Sequence, residues 1–132
     1  MKSNEPYMNI TGIDKVAGDV CKFKYLFDTV NGKKNLMIVI MNIFLSQVSE
    51  ELKSINKAVS DSDYPVIKKY AHTMMSSVSI MGISILGPIL QEMETLGKSE
   101  VGIKRINELN QKLNLICIQA LKEVEREKQN CL

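Results

Sequence analysis

The sequence predicts an all-α protein, an antiparallel four-helix bundle with a short additional N-terminal helix. Apolar residues recur at three- and four-residue spacing in four long segments, and short polar turns separate these segments. Aromatic residues make up only 5% of the chain and tryptophan is absent. A core built from Leu, Ile, Val and Met suits packed helices better than a β-sheet. Short connections favour antiparallel neighbours, so a single bundle domain accounts for the 132 residues.

The beginning of the chain differs in character from the rest. Residues 1–18 are polar and contain Pro6, Gly12 and Gly18, so we expect a flexible arm or linker there. The bundle domain is expected to occupy residues 19–130. The opening stretch, MKSNEPYMNITGID, contains no apolar segment of the kind that a secretory signal needs.

The first two helices are predicted over residues 19–30 and 33–59, with Asn31-Gly32 as the stop signal between them. The second helix repeats apolar residues along one face, at Met37, Met41, Phe44, Val48, Leu52, Ile55 and Val59. Its first half is apolar on all sides. We therefore expect the short first helix to cover the additional apolar face.

The turn SDSDYP leads into a third helix over residues 64–81, with Asp63 as N-cap, Pro65 in the first turn and Gly82 at the end. The inward residues of this helix are Ile67, Ala71, Met74, Val78 and Met81.

A fourth helix is predicted over residues 84–97, with Pro88 near its start and Gly97 as its end, and a fifth over 99–128. Their inward residues are Leu86, Ile89, Leu90, Met93 and Leu96, and Ile106, Leu109, Leu113, Ile116, Ala120 and Val124. The stretch KEVEREKQN, over residues 122–130, is predicted to be charged and solvated.

Charge and cysteine usage narrow the classes of function. A net charge of +2 gives no basis for binding nucleic acid or an anionic membrane. The apolar run LMIVIMNIFL is shorter than the ~18 residues of a membrane span. Cys21, Cys117 and Cys131 are odd in number and widely spaced, which predicts reduced thiols. We expect a cytoplasmic protein, a monomer, without nucleic-acid or membrane partners.

His72 is the only histidine, and helical phase places it on the surface. With Ile67 set at zero, the inward residues of the third helix fall within about 40°, whereas His72 falls at about 140°. Lys68, Ser79 and Ser76 share this outward side, at about 100°, 120° and 180°. His72 is therefore predicted to be exposed, with small serines one turn away and a lysine one turn before it.

The neighbouring residues limit the chemistry of His72. A metal site needs several ligands, and the chain has no second histidine and no nearby cysteine. The nucleophile motif of serine hydrolases is absent. A neutral imidazole can itself accept a phosphoryl group if small neighbours, a hydrogen-bond partner and a cation accompany it. An ordinary exposed histidine remains the alternative.

The stretch AHTMMSSVSIMG, followed by Leu86 and Met93-Glu94, resembles the histidine phosphotransfer (HPt) domain of bacterial multistep phosphorelays. The upstream stretches YLFDTVNGKKNL and IFLSQVSEEL also match, so the resemblance covers about residues 20–126. It implies that His72 receives a phosphoryl group from a receiver-domain aspartate and passes it to another receiver. It implies no cofactor on this chain, because the receiver supplies Mg²⁺.

The resemblance also implies roles for residues around His72. Glu94 would hold Nδ1–H and leave Nε2 as the nucleophile. The family usually has Lys and Gly where this chain has Met75 and Ser76, which removes the usual cation for the phosphate. We expect Lys68 to compensate, with Lys69 as a weaker candidate. The alternatives are a solvated lysine at position 68 and an ordinary surface carboxylate at position 94.

An apolar docking patch for the receiver is expected at Met75, Ile80 and Ile83, with Ser76, Ser79 and Lys69 beside it. Helix packing is the alternative role for the three apolar residues. Two other functions stay open for the whole chain. One is a degenerate HPt-like module that binds receivers or kinases without carrying phosphate, and the other is a plain helical interaction domain with an incidental histidine.

Overall fold

The structure, a computed structural model, describes residues 18–132. This part of the chain contains five helices and no strand, which confirms the predicted all-α class. The helices are α1 (Phe23–Thr29), α2 (Lys34–Ser60), α3 (Tyr64–Ile80), α4 (Leu86–Ser99) and α5 (Ile103–Cys131). Apart from Gly18, the arm expected over residues 1–18 lies outside the described residues.

The four long helices form a closed ring around one core. Helix α2 packs against α3 and α5, and α4 packs against the same two helices. Every inward residue predicted in α2, α3 and α5 is buried, and in α4 only Ile89 and Leu96 are half-buried. Each fully buried Leu, Ile or Met contributes roughly 1.5–3 kcal/mol, so these faces supply the stability of the bundle. No helix in residues 18–132 is long and apolar enough to cross a membrane.

The first four helices end in the same backbone arrangement. One residue at each end adopts a positive φ: Asn31 (54°), Ser62 (53°), Gly82 (65°) and Glu100 (56°). The next residue then donates its N–H to a carbonyl five residues earlier, as from Ile83 to Val78 at 3.1 Å. This is the Schellman motif, which satisfies carbonyls that the helix leaves unpaired and reverses the chain.

Helix α3 begins as predicted. The Asp63 carboxylate accepts the N–H of Val66 at 3.4 Å, and Pro65 lies in the first turn. The predicted end of α4 at Gly97 is wrong, because the helix continues to Ser99. Gly97 is buried against α3, where an added Cβ would lie 3.0 Å from the backbone nitrogen of Lys68. The glycine therefore permits close helix packing instead of ending the helix.

Helix α1 lies across the turn between α3 and α4. The N–H of Lys22 donates to the carbonyl of Met81 at 2.8 Å, and the Tyr25 ring fills the space beside Gly82. The expectation that α1 covers the additional apolar face of α2 is wrong for three side chains. Leu36, Val39 and Ile43 remain 43%, 53% and 48% exposed.

Candidate functional site

His72 projects from the outward face of α3, as helical phase predicts. Its side chain is 73% exposed, whereas the preceding residue, Ala71, is fully buried. Ser76 and Ser79 are also exposed, so two small side chains follow the histidine on this outward face, with the half-buried Met75 beside them. The imidazole is accessible to a partner protein.

Glu94 of α4 fixes the orientation of the imidazole. Its Oε2 lies 3.0 Å from Nδ1 of His72, and its side chain is only 21% exposed. Because an ionised carboxylate only accepts hydrogen bonds, this contact places a proton on Nδ1, and in the neutral imidazole Nε2 then keeps its lone pair. Within residues 18–132, no side chain or backbone group hydrogen-bonds Nε2. The pair therefore presents a free, nucleophilic nitrogen at the surface.

The packing of α4 holds this pair in place. Gly97, three residues after Glu94, meets the backbone of Lys68, four residues before His72. On the other side of α4, Arg105 of α5 binds both carboxylate oxygens of Glu92, at 2.7 and 3.0 Å. The hydrogen bonds from Arg105 hold the pKa of Glu92 below its ordinary value. The close contact at Gly97 therefore holds α4 against α3, and the exposed Arg105–Glu92 pair adds a contact with α5.

Two exposed lysines, one on α3 and one on α4, lie near the point where the C-terminal end of α4 packs against α3. Lys68 is one turn before His72, and Lys98 follows Gly97, whose backbone touches Lys68. Lys98 is one turn after Glu94 on α4, a spacing that sequence reasoning did not use. Lys69 is engaged differently, since its Nζ lies 5.2 Å from the centroid of the Tyr70 ring, within cation–π range.

A shallow cleft of about 210 Å³ opens between α1, α3 and the start of α4. It is lined by Tyr25, Met75, Val78, Ser79, Gly82, Ile83, Ser84 and Gly87. Met75, one turn after His72, is half-buried at this cleft, and the Tyr25 ring, 58% exposed, forms its outer wall. Sequence reasoning did not identify Tyr25, because no pattern within one helix reveals a contact between α1 and α3.

The residues expected to form the docking patch divide into two groups. Met75 and Ile80 are half-buried and partly available to a partner. Ile83 is only 1% exposed, so its predicted place on the outer surface is wrong and the packing alternative holds for it. The Schellman turn at Gly82 is the reason, because it reverses the chain and ends the helical phase from which the exposure of Ile83 was inferred.

The other potentially reactive groups stand apart from His72. All three cysteines are unpaired, and burial raises the pKa of Cys117 to about 12. Burial, together with the nearby Glu123 carboxylate, raises the pKa of Cys21 far above its ordinary value. Among residues 18–132, no three His, Cys, Asp or Glu side chains are arranged to hold a metal ion.

Comparison with protein families matches residues 39–126 to the family described as the Hpt domain. The matched region runs from α2 into the last turns of α5 and contains both His72 and Glu94. Neither the comparison with curated proteins nor that with solved structures gave a match.

Proposed function

The chain belongs to the Hpt domain family, and we propose that His72 is the residue that carries the phosphoryl group in its phosphotransfer role. The observation that supports this assignment is the contact between His72 and Glu94. It leaves Nε2 with a lone pair, exposed to solvent and flanked by small side chains. A phosphoryl acceptor needs these properties because its donor is the active site of another protein.

The proposed reaction is a direct transfer between side chains. The lone pair of Nε2 attacks the phosphorus of an aspartyl phosphate on a receiver domain. An N–P bond forms, the P–O bond breaks, and the receiver carboxylate leaves. The imidazole becomes cationic while Nδ1 keeps its proton, and the Glu94 carboxylate 3.0 Å away stabilises that charge. A second receiver aspartate reverses these steps, and the Mg²⁺ of the reaction belongs to the receiver.

We assign neutralisation of the phosphate oxygens to Lys68, supported by Lys98. Met75 occupies the position where the family usually has a lysine, and a thioether cannot neutralise the oxygens. Lys68 is exposed on the same side of α3 as His72, and the exposed Lys98 follows Gly97, where α4 packs closely against Lys68. Lys69 contributes less, because its ammonium group lies over the Tyr70 ring.

Charge reversal tests the role of the lysines. We expect Lys68→Glu to slow transfer from a receiver by roughly tenfold, because the negative charge repels the phosphoryl group, and Lys98→Glu to slow it less. The control is Lys122→Glu on α5, a helix that packs mainly against α2 and α4. An unchanged rate for Lys68→Glu would remove Lys68 from the mechanism.

The receiver is proposed to dock over the exposed face of α3, in the cytoplasm, on a monomer of this chain. The apolar cleft beside Met75, with Tyr25 as its wall, accepts an apolar side chain of the receiver. Ser76, Ser79, Ile80 and Lys69 border the docking surface on α3. The small serines allow the receiver's aspartyl phosphate to approach Nε2.

The decisive experiment is phosphotransfer from receiver domains charged with acetyl [³²P]phosphate. We expect label on the wild-type chain, in an acid-labile and base-stable form typical of phosphohistidine, and none on His72→Gln. Label on both would assign the role to another residue. Binding of receivers without label would favour the second candidate function, a module that binds receivers but carries no phosphate, which the Met75 substitution makes chemically reasonable. Neither binding nor label would leave a plain helical interaction domain.

A further inference from the structure

Residues 18–22, the anchor segment, are attached to the bundle by a buried carboxylate. Glu123 of α5 is only 3% exposed and accepts two backbone N–H groups of this segment. The N–H of Val20 lies 3.0 and 2.9 Å from Oε1 and Oε2, and the N–H of Cys21 lies 2.8 Å from Oε1. A buried carboxylate with these donors fixes the backbone it binds, because releasing it would leave a charge and two N–H groups unpaired.

Neighbouring side chains complete the attachment. The Gln119 side-chain amide donates both to the carbonyl of Gly18 and to Oε2 of Glu123, each at 2.8 Å. Arg126 reaches Asp19 at 3.3 Å. Burial disfavours ionisation of Glu123, but its N–H donors outweigh burial and hold its pKa below the ordinary value. Glu123 is therefore charged near neutral pH.

The other end of the anchor segment leads directly to the cleft. The N–H of Lys22 donates to the carbonyl of Met81, and α1 begins at the next residue. With only seven residues and no side-chain N-cap, α1 is too short to be stable alone. Its position depends on Leu26, which is buried in the core, and on the anchor segment that precedes it.

We propose that Glu123 is a positioning residue for receiver docking, which acts by fixing the anchor segment and thereby holding Tyr25 as the wall of the cleft beside Met75. This inference rests on the proposed function. Because Glu123 is buried, it cannot touch a receiver, and any effect on transfer must pass through the anchor segment and α1. Glu123 should therefore affect the binding of a protein donor without affecting the reactivity of the imidazole.

Two phosphoryl donors separate these effects. With a receiver charged by acetyl phosphate, Glu123→Ala should raise the half-saturating receiver concentration by roughly three- to tenfold and leave the maximal transfer rate constant unchanged. With phosphoramidate, a small donor that needs no docking surface, the labelling rate of His72 should stay at the wild-type value. Glu123→Gln keeps one acceptor oxygen for the N–H groups and should restore much of the receiver affinity. Glu125→Ala, an exposed change on the same helix, should behave as wild type.

A double-mutant cycle tests the route through Tyr25. If Glu123 acts by positioning that ring, Tyr25→Ala and Glu123→Ala should be strongly non-additive, and the double variant should bind a receiver about as weakly as Tyr25→Ala alone. Additive effects would overturn the proposed route.

Cys21 reports on the anchor segment without any receiver. Its thiol is buried beside Glu123, so alkylation by iodoacetamide, followed by peptide mapping, should be faster in Glu123→Ala than in wild type. Glu123→Gln, which also removes the negative charge but retains the anchor, should react more slowly than Glu123→Ala.

The outcomes distinguish the two proposals. One outcome would overturn the positioning role alone: the wild-type chain is labelled, and Glu123→Ala has the same half-saturating receiver concentration as the wild type. If Glu123→Ala lost labelling equally with the receiver and with phosphoramidate, the positioning role would also be overturned, because equal losses would indicate damage to the bundle. If neither the charged receiver nor phosphoramidate labelled the wild-type chain, the proposed function would be overturned, and this inference with it.

Discussion

His72 has an accessible Nε2 because a carboxylate on another helix holds its other ring nitrogen. Helical phase alone predicted the exposure of the imidazole. The position of Glu94 could not be obtained in that way, because periodicity within α3 says nothing about which residue of α4 faces it. The resemblance of residues 93–94 to the family pattern supplied that expectation, and the 3.0 Å contact agrees with it.

Substitution of Glu94 should slow phosphotransfer in a graded manner. Glu94→Ala removes the acceptor for Nδ1–H and should lower the transfer rate constant by roughly ten- to a hundredfold, the effect of losing a charge-assisted hydrogen bond. Glu94→Gln retains an acceptor oxygen and should lose less than about tenfold. Single-turnover transfer from a charged receiver measures both. Full activity in Glu94→Ala would contradict the orienting role.

Met75 offers a direct test of the missing cation. Met75→Lys should raise the transfer rate constant severalfold at low salt, because the long side chain can keep its stem in the cleft and extend its ammonium group toward the phosphate. The gain should shrink at high ionic strength. Met75→Leu, which keeps the apolar volume without charge, is the control. A slower Met75→Lys variant would mean that the apolar cleft matters more to the receiver than the charge.

Glu123 shows where interpretation of the sequence failed at the level of single residues. The stretch KEVEREKQN was predicted to be solvated, and most of its side chains are at least partly exposed. Glu123 is buried because the N-terminal segment, about a hundred residues earlier in the chain, supplies N–H donors for it. The sequence shows the carboxylate but gives no sign of this distant partner.

Among the elements, helix phases could be predicted throughout, whereas helix ends could be predicted only in part. Apolar spacing determines which face is buried, whereas an end depends on one residue adopting a left-handed backbone. Gly82 is the only glycine among the four residues that do so, and Asn31, Ser62 and Glu100 fill the other positions. Glycine was therefore an incomplete guide, and at Gly97 it marked close packing instead of an end.

The close approach of α3 and α4 at Gly97 should be sensitive to one methyl group. Gly97→Ala places a Cβ 3.0 Å from the Lys68 nitrogen and 3.2 Å from its Cα, so the backbones must separate. The cost of overpacking should exceed the gain in helix propensity and leave the variant less stable by about 1 kcal/mol. Transfer should also slow, because Glu94 and His72 are one turn away. Urea unfolding and single-turnover transfer measure the two effects.

Gly87→Ala is the matched control on the same helix. An added Cβ there meets nothing within 4 Å beyond its own turn of helix, while the following Pro88 disfavours the helical conformation of a residue with a Cβ, so stability should change by less than about 1 kcal/mol. If both variants gained stability equally, the close contact between α3 and α4 would not limit the packing.

Over the whole molecule, the bundle could be predicted from the sequence because each of the four long helices has an apolar face that must be buried against the others. Buried polar groups could not be foreseen, since they depend on pairing between helices. Asn56 of α2 accepts from Asn110 and Asn114 of α5 at 2.8 and 2.9 Å, a network that fixes the register of the two helices. Glu51, on the same helix as Asn56, is half-buried, and this burial disfavours the charged form of its carboxylate.

The stability of the bundle should therefore depend on pH through Glu51. Burial raises its pKa, and the hydrogen bond from Ser77, at 3.5 Å, only partly opposes that shift. The pKa of Glu51 is therefore higher in the folded than in the unfolded chain. Its favourable contribution to the free energy of unfolding is complete below the ordinary pKa of 4.5 and is lost as the pH rises through the raised pKa. Glu123 acts in the opposite sense, because its lowered pKa favours folding above the ordinary value.

Glu51→Gln removes the pH-dependent contribution of Glu51 to stability and leaves that of Glu123 unchanged. At pH 7 the variant should be more stable than wild type by up to about 1 kcal/mol, a gain limited by solvent screening at a half-exposed site. The gain should disappear below about pH 4, where both chains carry a neutral side chain at this position. Urea unfolding between pH 3.5 and 7.5 measures the difference. Glu50→Gln, at the adjacent exposed residue, should show no such gain, and an equal gain there would attribute the effect to net charge and not to burial of Glu51.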